Sequence, residues 1–472
     1  MEMNIRSIPI TDRGGRVTTL EIQIGKTYKI QIEDMGHKGE AIGRIDTLTV
    51  FVEGGLKGDL VEAEILTFKK NYATAKIVKL LKPSEIRVPS PCKVSSFCGG
   101  CQIMEMSYVA QLEMKRSIVR EHMRRIGEIT DIEVLDVLGM EYPFEYRNKG
   151  QYPIACQDGR IVTGFYKVRS HEIVPVKRCL LHREVSDIAV NTVRKVCETY
   201  GVPIYDEVSH TGNLRRIVVK VGFYTNEVMV VLVTKEKKLP YADRILEALK
   251  EKVSGLKTVV QNIQSKTSNT TMGRENKILY GEGVIRDRLL GLEFEISPLS
   301  FYQVNPLQTQ VLYSQAIERA DLSGRETVFD LYCGIGTISL AMAKHCRKVY
   351  GVEVVESAVE DARKNASGNK VENAEFICGK SEEVLPRLYK EGIRADVVVL
   401  DPPRKGCEEI VLQTIAKMEV PKIVYVSCNS ATLARDMAIL QKLGYKAKEV
   451  QPVDMFAHSM HVESIALLQR VK

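Results

Sequence analysis

Apolar and polar positions alternate along the chain between Lys26 and Leu81. Runs such as TYKIQIED, LTVFVEG, DLVEAEIL and YATAKIVKLL are separated by the glycine-rich, charged turns GHKGEAIGRID and GGLKGD. A period of two indicates β-strands with one buried face, so the pattern predicts a small antiparallel barrel of about five strands. We place this OB-like β-barrel at residues 18–82. Such barrels often bind oligonucleotides, and a structural cap is the equally open alternative.

The pattern changes after the barrel. Pro83, Pro89 and Pro91 interrupt the alternation and mark a linker or a rigid crossing. Beyond them, a helical pattern runs from Tyr108 to Ile126, and apolar strands such as RRIVVKVGF and EVMVVLVT follow. This mixture predicts a central α+β domain over residues 83–290.

From residue 291 to residue 472, strand-like runs alternate with helical stretches. The strand-like runs are ETVFDLY, KVYGVEV, ADVVVLD and KIVYVSC. Such alternation is typical of a doubly wound parallel sheet, whose ligands bind beyond the carboxyl ends of the strands. The predicted fold class is therefore α/β, with a Rossmann-like C-terminal domain, a central α+β domain and an N-terminal barrel.

Composition limits the class of protein. A chain of 472 residues is too long for one ordinary core. Its hydrophobic content of 44% and charged content of 27% are typical of a soluble globular protein. No apolar run approaches the roughly 18 residues of a membrane span, and the N-terminal stretch lacks an apolar signal core, so we expect a cytoplasmic protein without a membrane partner. We also expect a monomer. The net charge of +7 permits a polyanionic partner.

A glycine loop in FDLYCGIGTISL offers a ligand site. Asp330 lies near a strand end, and Gly334 and Gly336 precede a helix, where a ligand can approach the backbone closely. The third glycine of the dinucleotide pattern is absent, and the spacing resembles the first motif of S-adenosylmethionine-dependent methyltransferases. Glu353, at the next strand end, stands where a carboxylate would accept bonds from ribose hydroxyls. For the loop alone, a structural turn is the alternative.

A second strand-end motif, VVVLDPPRKGC, faces the same crevice. Asp401 is followed by two prolines, which make a rigid loop. Methyltransferases that act on exocyclic amines often carry an aromatic residue after such a pair, and here Arg404 occupies that position. The exchange argues against an amino-group methylase and directs attention to another target atom.

Cys428 ends the strand-like run in KIVYVSCNSATLARD. A thiolate that adds to carbon 6 of uracil makes carbon 5 nucleophilic, and a base must then remove the hydrogen of carbon 5. Cys428 fits the nucleophile, and Glu463 in MFAHSMHVESIALL fits the base, alongside His458 and His461. A buried packing residue is the commoner role of a lone cysteine, but Asn429 in the polar turn that follows favours catalysis.

Five motifs together carry a family resemblance. SFYQVNP, FDLYCGIGT, LDPPRKGC, YVSCNSATLARD and MFAHSMHVE resemble, in order and spacing, the RNA uracil-5-methyltransferase family. The barrel resembles the TRAM domain that many bacterial members carry, and the resemblance covers nearly the whole chain. It implies a class I methyltransferase domain, S-adenosyl-L-methionine as cofactor, Cys428 as nucleophile and Glu463 as base. The implied cofactor contacts are Gln303, Tyr332, Glu353 and Asp401.

The resemblance also implies a substrate and shows two departures. It favours 23S ribosomal RNA, because the tRNA uracil methylases, which are the runner-up, generally lack both the barrel and the clustered cysteines described next. An RNA-binding assembly factor without turnover is the alternative from another class, and the Cys428 and Glu463 pair argues against it. Ser430 and Ala457 replace prolines that are usual in the family, and we expect these exchanges to alter loop stiffness more than chemistry.

Three of the eleven cysteines cluster in PCKVSSFCGGCQ. Cys92, Cys98 and Cys101 need a fourth partner for a tetrahedral thiolate site, and Cys179 in VKRCLLH is the best candidate. Such a site holds zinc or an iron–sulfur cluster, which sequence separates poorly. The family resemblance favours a 4Fe-4S cluster with a structural or RNA-positioning role. Six other cysteines are predicted to be packing residues: Cys156, Cys197, Cys333, Cys346, Cys378 and Cys407.

Short basic runs are candidates for RNA contact. They interleave with aromatic or strand residues, as phosphate and stacking contacts require, although each run alone is more often a solvated face. Their members are Arg147, Lys149, Lys167, Arg169, Arg215, Arg216 and Lys220.

Overall fold

The computed structural model describes residues 5–11, 17–36, 39–168, 170–267 and 270–471. The chain divides into two compact units. The first unit consists of Met1–Gln111 and His458–Met460, and the second consists of Leu112–Ala457 and His461–Lys472. The domain boundaries expected from the sequence stay a prediction.

The first unit contains the expected barrel. Its strands are β1 (Ile5–Thr11), β2 (Val17–Gln23), β3 (Thr27–Met35), β4 (Ala41–Ile45), β5 (Leu48–Glu53), β6 (Leu60–Phe68) and β7 (Tyr72–Lys82). Five of these strands close into a barrel in the order β3-β4-β5-β7-β6, and β1 and β2 pair as a separate two-stranded sheet. Alternate side chains such as Val50, Val61 and Ala63 fill the barrel interior. Closure leaves these strands without a free edge. The barrel prediction is confirmed, except that β5 and β7 pair in parallel.

The second unit begins within a helix and builds a central sheet. Its first elements are α1 (Tyr108–Arg125, which starts in the first unit), β8 (Glu133–Val134), β9 (Lys149–Gln157), β10 (Arg160–Tyr166), β11 (Ile173–Pro175), α2 (Glu184–Tyr200), β12 (Leu214–Val221), β13 (Val228–Thr234), α3 (Ala242–Lys252), β14 (Leu256–Ile263) and β15 (Glu275–Tyr280). The sheet order is β11-β10-β9-β12-β13-β14-β15. Helices α2 and α3 cover one face through a core that includes Val193, Ile245 and Val230.

A hairpin and a doubly wound sheet complete the second unit. The elements are β16 (Ile285–Leu289), β17 (Leu292–Ile296), α4 (Pro306–Ala320), β18 (Thr327–Leu331), α5 (Thr337–Ala343), β19 (Lys348–Glu353), α6 (Glu356–Gly368), β20 (Ala374–Cys378), α7 (Ser381–Lys390), β21 (Val397–Leu400), α8 (Glu409–Lys417), β22 (Lys422–Ser427), α9 (Ser430–Lys442), β23 (Tyr445–Val453) and β24 (Glu463–Arg470).

The order of this sheet is β20-β19-β18-β21-β22-β24-β23-β8. Strands β18 to β22 run in parallel, whereas β24 is antiparallel to β22. The strand order reverses between β18 and β21, which is the switch point where such sheets bind ligands. Both faces are covered, since Val328 and Val399 pack into one core cluster and Phe329 and Val398 into the other. The predicted α/β fold class is confirmed.

A fully buried ion pair fastens α1 within the second unit. Lys115 Nζ donates to Asp454 Oδ1 at 2.5 Å and to the carbonyl of Phe456 at 3.0 Å. Burial lowers the pKa of Lys115, and Asp454 opposes that shift. This pair fixes the chain after β23, ahead of the last strand.

None of the helices in the described part of the chain combines the length and apolar character that crossing a membrane requires.

Candidate active site

Strand pairing brings the chemically interesting residues to one edge of the sheet. Asp401 directly follows β21 and Cys428 directly follows β22. Strand β24 begins at the same edge with Glu463, because the antiparallel register pairs Ser427 with Ser464. The predicted nucleophile and base therefore flank paired neighbours at the carboxyl ends of the parallel strands.

Burial and mutual repulsion shift the acid–base properties of this edge. Glu463 is 4% exposed. Burial, reinforced by Asp401 and opposed by Arg404, raises its pKa to about 8. Burial and the nearby Asp330 raise the pKa of Asp401 to about 7. Burial, then Glu463 and Asp401, raise the pKa of Cys428 to about 11, against the opposing charge of Arg404. At neutral pH the thiol is thus protonated in the free protein.

The glycine loop presents backbone amides to a carboxylate. Gly334 N donates to Glu353 Oε2 at 3.1 Å, and Val355 N donates to Oε1 at 2.9 Å. Gly334 has φ 55° and Gly336 has φ 81°, in the left-handed region that favours glycine. A Cβ on Gly336 would lie 2.9 Å from the ring of Phe376, whereas a Cβ on Gly334 would meet nothing within 4 Å. Open space therefore lies in front of the loop at Gly334.

Asp330 and Tyr332 shape the same loop from the end of β18. Asp330 is 1% exposed, and its Oδ2 accepts a hydrogen bond from Ser339 Oγ. Its Oδ1 has no partner in the described part of the chain. Burial raises the pKa of Asp330 to about 6, against the Ser339 hydrogen bond and with a smaller contribution from Glu353. Tyr332 adopts φ 75°, which is uncommon for a side chain of this size and bends the chain out of the strand.

Gln303 is joined to this edge through a tyrosine. Its carbonyl accepts a bond from Asn148 Nδ2 at 2.9 Å, and Asn305 caps α4 just beyond it. The Gln303 side chain hydrogen-bonds Tyr313. Burial, followed by the charge of Asp401, raises the pKa of Tyr313. Of the four predicted cofactor contacts, Glu353 thus ends β19 and the other three lie on loops at or near the carboxyl edge.

Comparison with known proteins decides the family. A family model for tRNA (uracil-5-)-methyltransferases matches residues 108–471, and a TRAM-domain model matches residues 21–78. The chain belongs to the tRNA (uracil-5-)-methyltransferase family. It is accordingly an S-adenosylmethionine-dependent RNA methyltransferase with an N-terminal TRAM domain.

Individual relatives agree with this family. An uncharacterized RNA methyltransferase of Clostridium tetani is 48% identical and covers 95% of this chain and 97% of its own length. One from Caldanaerobacter subterraneus subsp. tengcongensis is 47% identical, with coverage of 96% and 100%. Among solved structures, the Pyrococcus abyssi tRNA (uracil-54, C5)-methyltransferase in complex with S-adenosyl-L-homocysteine has a TM-score of 0.74 and 27% identity. It covers 93% of this chain and 100% of its own.

The residues at the edge of this uracil-5-methyltransferase fit its cofactor. S-adenosylmethionine carries ribose hydroxyls and an ammonium group that donate hydrogen bonds, together with a positive sulfonium. Asp330 Oδ1 is a buried acceptor that receives no hydrogen bond from the described residues, and the space before Gly334 is open. Glu353 and Asp401 add carboxylates on neighbouring strands. This donor–acceptor match and the excess of acidic groups suit a cationic ligand.

A buried carboxylate that sequence reasoning missed holds the loop after Asp401. Asp436, on α9, has no exposed surface, and its Oδ2 accepts from Cys407 N at 2.9 Å and Tyr425 Oη at 2.5 Å. Its Oδ1 accepts from Arg435 Nε at 2.8 Å. A Cβ on Gly406 would lie 2.7 Å from Oδ2, so the loop packs directly on this carboxylate. Only the pair Arg435–Asp436 in the ARD stretch hinted at it.

Ser430, one of the two departures from the family pattern, makes a tertiary contact. Asn429 caps α9 by accepting from Ala431 N at 3.1 Å, and its Nδ2 donates to the carbonyl of Arg404 at 3.0 Å. Ser430, the first residue of α9, is buried, with its Oγ 2.8 Å from His122 Nδ1 on α1. A proline at this position would preset the helical φ. The serine instead links α9 to α1 beside Cys428.

The cysteine-rich loop lies in the first unit. Cys98 is buried, and Gly100 N donates to its sulfur at 3.4 Å. Burial raises the pKa of Cys98, the Gly100 bond opposes the shift, and Cys92 adds to it. Cys179 belongs to the second unit, where burial raises its pKa to about 11. Among the described residues, no group of three or more His, Cys, Asp or Glu side chains is arranged to hold a metal ion.

His458 has a structural environment within the first unit. Its backbone N donates to Gln111 Oε1 at 2.9 Å, and its carbonyl accepts from Gln102 N at 3.0 Å and Ile103 N at 3.2 Å. These bonds hold it at φ 65°, a conformation that non-glycine residues rarely adopt. The amides next to Cys101 thus secure the turn that precedes the last strand in sequence.

Several sequence predictions are wrong or fall outside the described residues. Arg215 is buried and donates to two backbone carbonyls at 2.9 and 2.8 Å. Lys220 is likewise buried, bound to two carbonyls at 2.8 and 2.9 Å, so neither side chain is available to phosphate. Arg169 lies outside the described residues. Cys156 and Cys378 are exposed, not packed.

Replacing Asp436 with asparagine should weaken the loop that carries Asp401. An amide has one acceptor oxygen, so buried donors lose their partner, at about 1–3 kcal/mol for each unsatisfied group. We expect a lower Tm and weaker S-adenosylmethionine binding by calorimetry. Asp321→Asn, at an exposed carboxylate of the same domain, serves as the control. Wild-type melting and affinity in Asp436→Asn would show that the loop does not depend on this carboxylate.

Proposed function

We propose that this enzyme methylates carbon 5 of specific uridines in 23S ribosomal RNA through a covalent adduct on Cys428, with Glu463 as the proton-abstracting base. The observation that supports this proposal is the β22–β24 register, which sets Cys428 and Glu463 at one edge beside Asp401. The two halves of the reaction require a thiol that can add to carbon 6 and a carboxylate that can take the carbon 5 proton, and Glu463 is near enough to Cys428 to act on the charge state of the thiol.

The reaction divides between the two side chains. The Cys428 thiol gives its proton to solvent, the resulting thiolate adds to carbon 6 of uracil, and the electron pair of the carbon 5–carbon 6 double bond moves into the ring enolate. The cofactor supplies the electrophilic methyl group that carbon 5 takes up. Glu463 then accepts the proton from carbon 5, the double bond re-forms, and the sulfur leaves as thiolate. The charge of Arg404, which favours the thiolate of Cys428, assists both addition and departure.

Four residues are assigned to the cofactor in this proposal. Glu353, already oriented by two backbone amides, would accept bonds from the ribose hydroxyls. Gln303, Tyr332 and Asp401 would complete the contacts from the neighbouring loops. Any enzyme that acts on ring carbons must also extrude the target base from its stack. Arg404 is exposed beside this edge of the sheet, where its positive charge would face the RNA.

The choice of 23S ribosomal RNA rests on the cysteine set. By family resemblance, the clustered cysteines and the TRAM domain occur together in enzymes of ribosomal RNA. The barrel alone does not discriminate, because the Pyrococcus abyssi enzyme, which is named for tRNA, covers 93% of this chain. That neighbour makes tRNA uracil-5 methylation the second candidate.

We further propose that Cys92, Cys98, Cys101 and Cys179 hold a 4Fe-4S cluster with a structural or RNA-positioning role. The support is the donor set and the Gly100 amide directed at the Cys98 sulfur, since amide–sulfur bonds tune cluster thiolates. The described residues show no grouping of these thiols into a metal site, so the arrangement of the thiols is not part of the support. Zinc is the alternative for the same ligands.

The RNA target is tested by mapping 5-methyluridine in cells with and without this protein. We expect loss of the modification at one or more 23S positions, restored by the wild-type gene and not by Cys428→Ala, because carbon 5 is unreactive without the thiolate. Transfer RNA serves as the internal control. Loss confined to tRNA would replace the ribosomal assignment with the second candidate.

The covalent mechanism predicts that its two residues fail at different stages. Cys428→Ala should show neither methyl transfer nor a covalent RNA adduct, while still binding RNA. Glu463→Gln should methylate once and release product roughly 10²–10⁴-fold more slowly, because a positioned base is missing. It should therefore accumulate a protein–RNA species on denaturing gels. Glu419→Gln, an exposed carboxylate paired with Arg470 of β24, should behave as wild type.

Two outcomes would contradict this mechanism. Carbon 5 methylation by Cys428→Ala would exclude the covalent route. Wild-type turnover of Glu463→Gln would move the role of base to another residue, with His461 the next to test.

RNA carrying 5-fluorouridine should trap the wild-type enzyme, since fluorine cannot leave as a cation.

Metal content tests the cluster separately. Protein purified without oxygen should contain about four irons per chain, and Cys98→Ser should lose them, because each thiolate is a cluster ligand. Cys197→Ser, at a buried cysteine of α2, is the matched control and should retain the iron. Stoichiometric zinc without iron would replace the cluster with a zinc site.

A further inference from the structure

We propose that the acidic groups at the carboxyl edge make cofactor binding release a proton, so that the enzyme prefers the cationic methyl donor to its neutral-sulfur product and binding itself converts Glu463 to the carboxylate. This inference deepens the proposed function and rests on its assignment of the cofactor site to this edge. It concerns the charge state of this chain's own residues.

Acidic groups outnumber cations at the edge. Carboxyl groups come from four different strands or strand ends, and Arg404 is the cation that acts on both Glu463 and Cys428. Asp330 Oδ1 is fully buried, and none of the described residues donates a hydrogen bond that would offset its charge. The acidic groups, in chain order, are Asp330, Glu353, Asp401 and Glu463.

Three of these carboxyls, Asp330, Asp401 and Glu463, compete for protons because they are withdrawn from water at the same edge. The pKa is raised to about 6 for Asp330, about 7 for Asp401 and about 8 for Glu463, by burial first and by one another second. Interacting groups of this kind titrate as a set and not one by one. Near neutral pH, the set therefore holds protons that isolated carboxyls would have lost.

Two more cations, Lys115 and Arg147, act on His461 near the edge, and Lys115 is offset by its ion pair with Asp454. Burial, with Arg404 second, lowers the pKa of His461, so its imidazole is neutral. Burial raises the pKa of Tyr313 and of Cys428, so both are neutral as well. At Glu463 and Cys428 themselves, Arg404 is the cation that acts, and the carboxyl set is the counter-charge for a positive ligand.

A bound sulfonium favours the ionised carboxylates and lowers their pKa, so protons leave to solvent. The free enzyme then binds more protons than the complex, and by linkage the affinity for the donor rises with pH through the window of about 6 to 9 and falls as pH drops through it. S-adenosylhomocysteine has the same adenosine and amino acid groups but a neutral sulfur. It lacks this gain.

The coupling between the charge of the cofactor and the protonation of the carboxyls also affects Glu463, the proposed base. Glu463 is held as carboxylate while the positive charge is present. Loss of that charge on methyl transfer raises the proton affinity of Glu463 in the same complex in which it must accept the proton from carbon 5. The product is then bound without the charge attraction that held the donor, which favours replacement of the product by a new donor molecule.

Titration calorimetry in buffers of different ionisation enthalpy measures the released protons directly. At about pH 7.5, S-adenosylmethionine should release on the order of half to one proton, and S-adenosylhomocysteine clearly less. Sinefungin, which carries an ammonium group at the sulfonium position, should behave like the donor. The ratio of donor to product affinity should rise about tenfold between pH 6 and 9.

Two substitutions locate the effect. Asp401→Asn and Glu463→Gln should each reduce proton release on donor binding, whereas Glu419→Gln, remote from the edge, should release as wild type. Equal release with donor and product, or unchanged release in both edge variants, would overturn the inference and leave the methyltransferase function standing. Failure of the wild-type protein to bind S-adenosylmethionine at all would overturn both.

Discussion

Parallel pairing of β19, β18, β21 and β22 is the constraint on which the rest of the site depends. Parallel strands end at the same edge, so residues at or just beyond the strand ends, from Asp330 in β18 to Cys428 after β22, meet there although their motifs are far apart in the chain. The antiparallel strand β24 adds its first residue, Glu463, to that edge. The burial of both faces of the sheet keeps this geometry rigid.

The buried charges of the second unit divide into two kinds. Lys115 pairs fully with Asp454, and Asp436 accepts bonds from three neighbouring groups. Such paired charges tolerate burial and secure the loops around the edge. In contrast, Glu463 is buried and Asp401 is half-buried beside other acids, and their pKa values rise. Perturbed groups of this kind are typical of functional sites, because a base must bind its proton near the working pH.

The departures from the family pattern follow the same logic. Ser430 gives up the preset backbone of a proline and makes a bond to His122. Ala457, also in a proline position, is fully buried, and its carbonyl accepts a bond from Tyr146 at 3.1 Å. In both cases a tertiary hydrogen bond holds the loop that flanks a catalytic candidate, but the bond at Ser430 alone depends on the exchange, because a proline at position 457 has the same backbone carbonyl.

Local pattern was enough to determine the barrel, the parallel sheet and the positions of Asp401, Cys428 and Glu463 at strand ends, because strand periodicity and strand termini are properties of short segments. Only the tertiary structure decided the rest. The burial of Arg215 and Lys220, the exposure of Cys378 and the role of Asp436 depend on neighbours that are distant in sequence. The protonation of the edge carboxyls belongs to the same group, since desolvation and repulsion act through space and leave no trace in the order of residues.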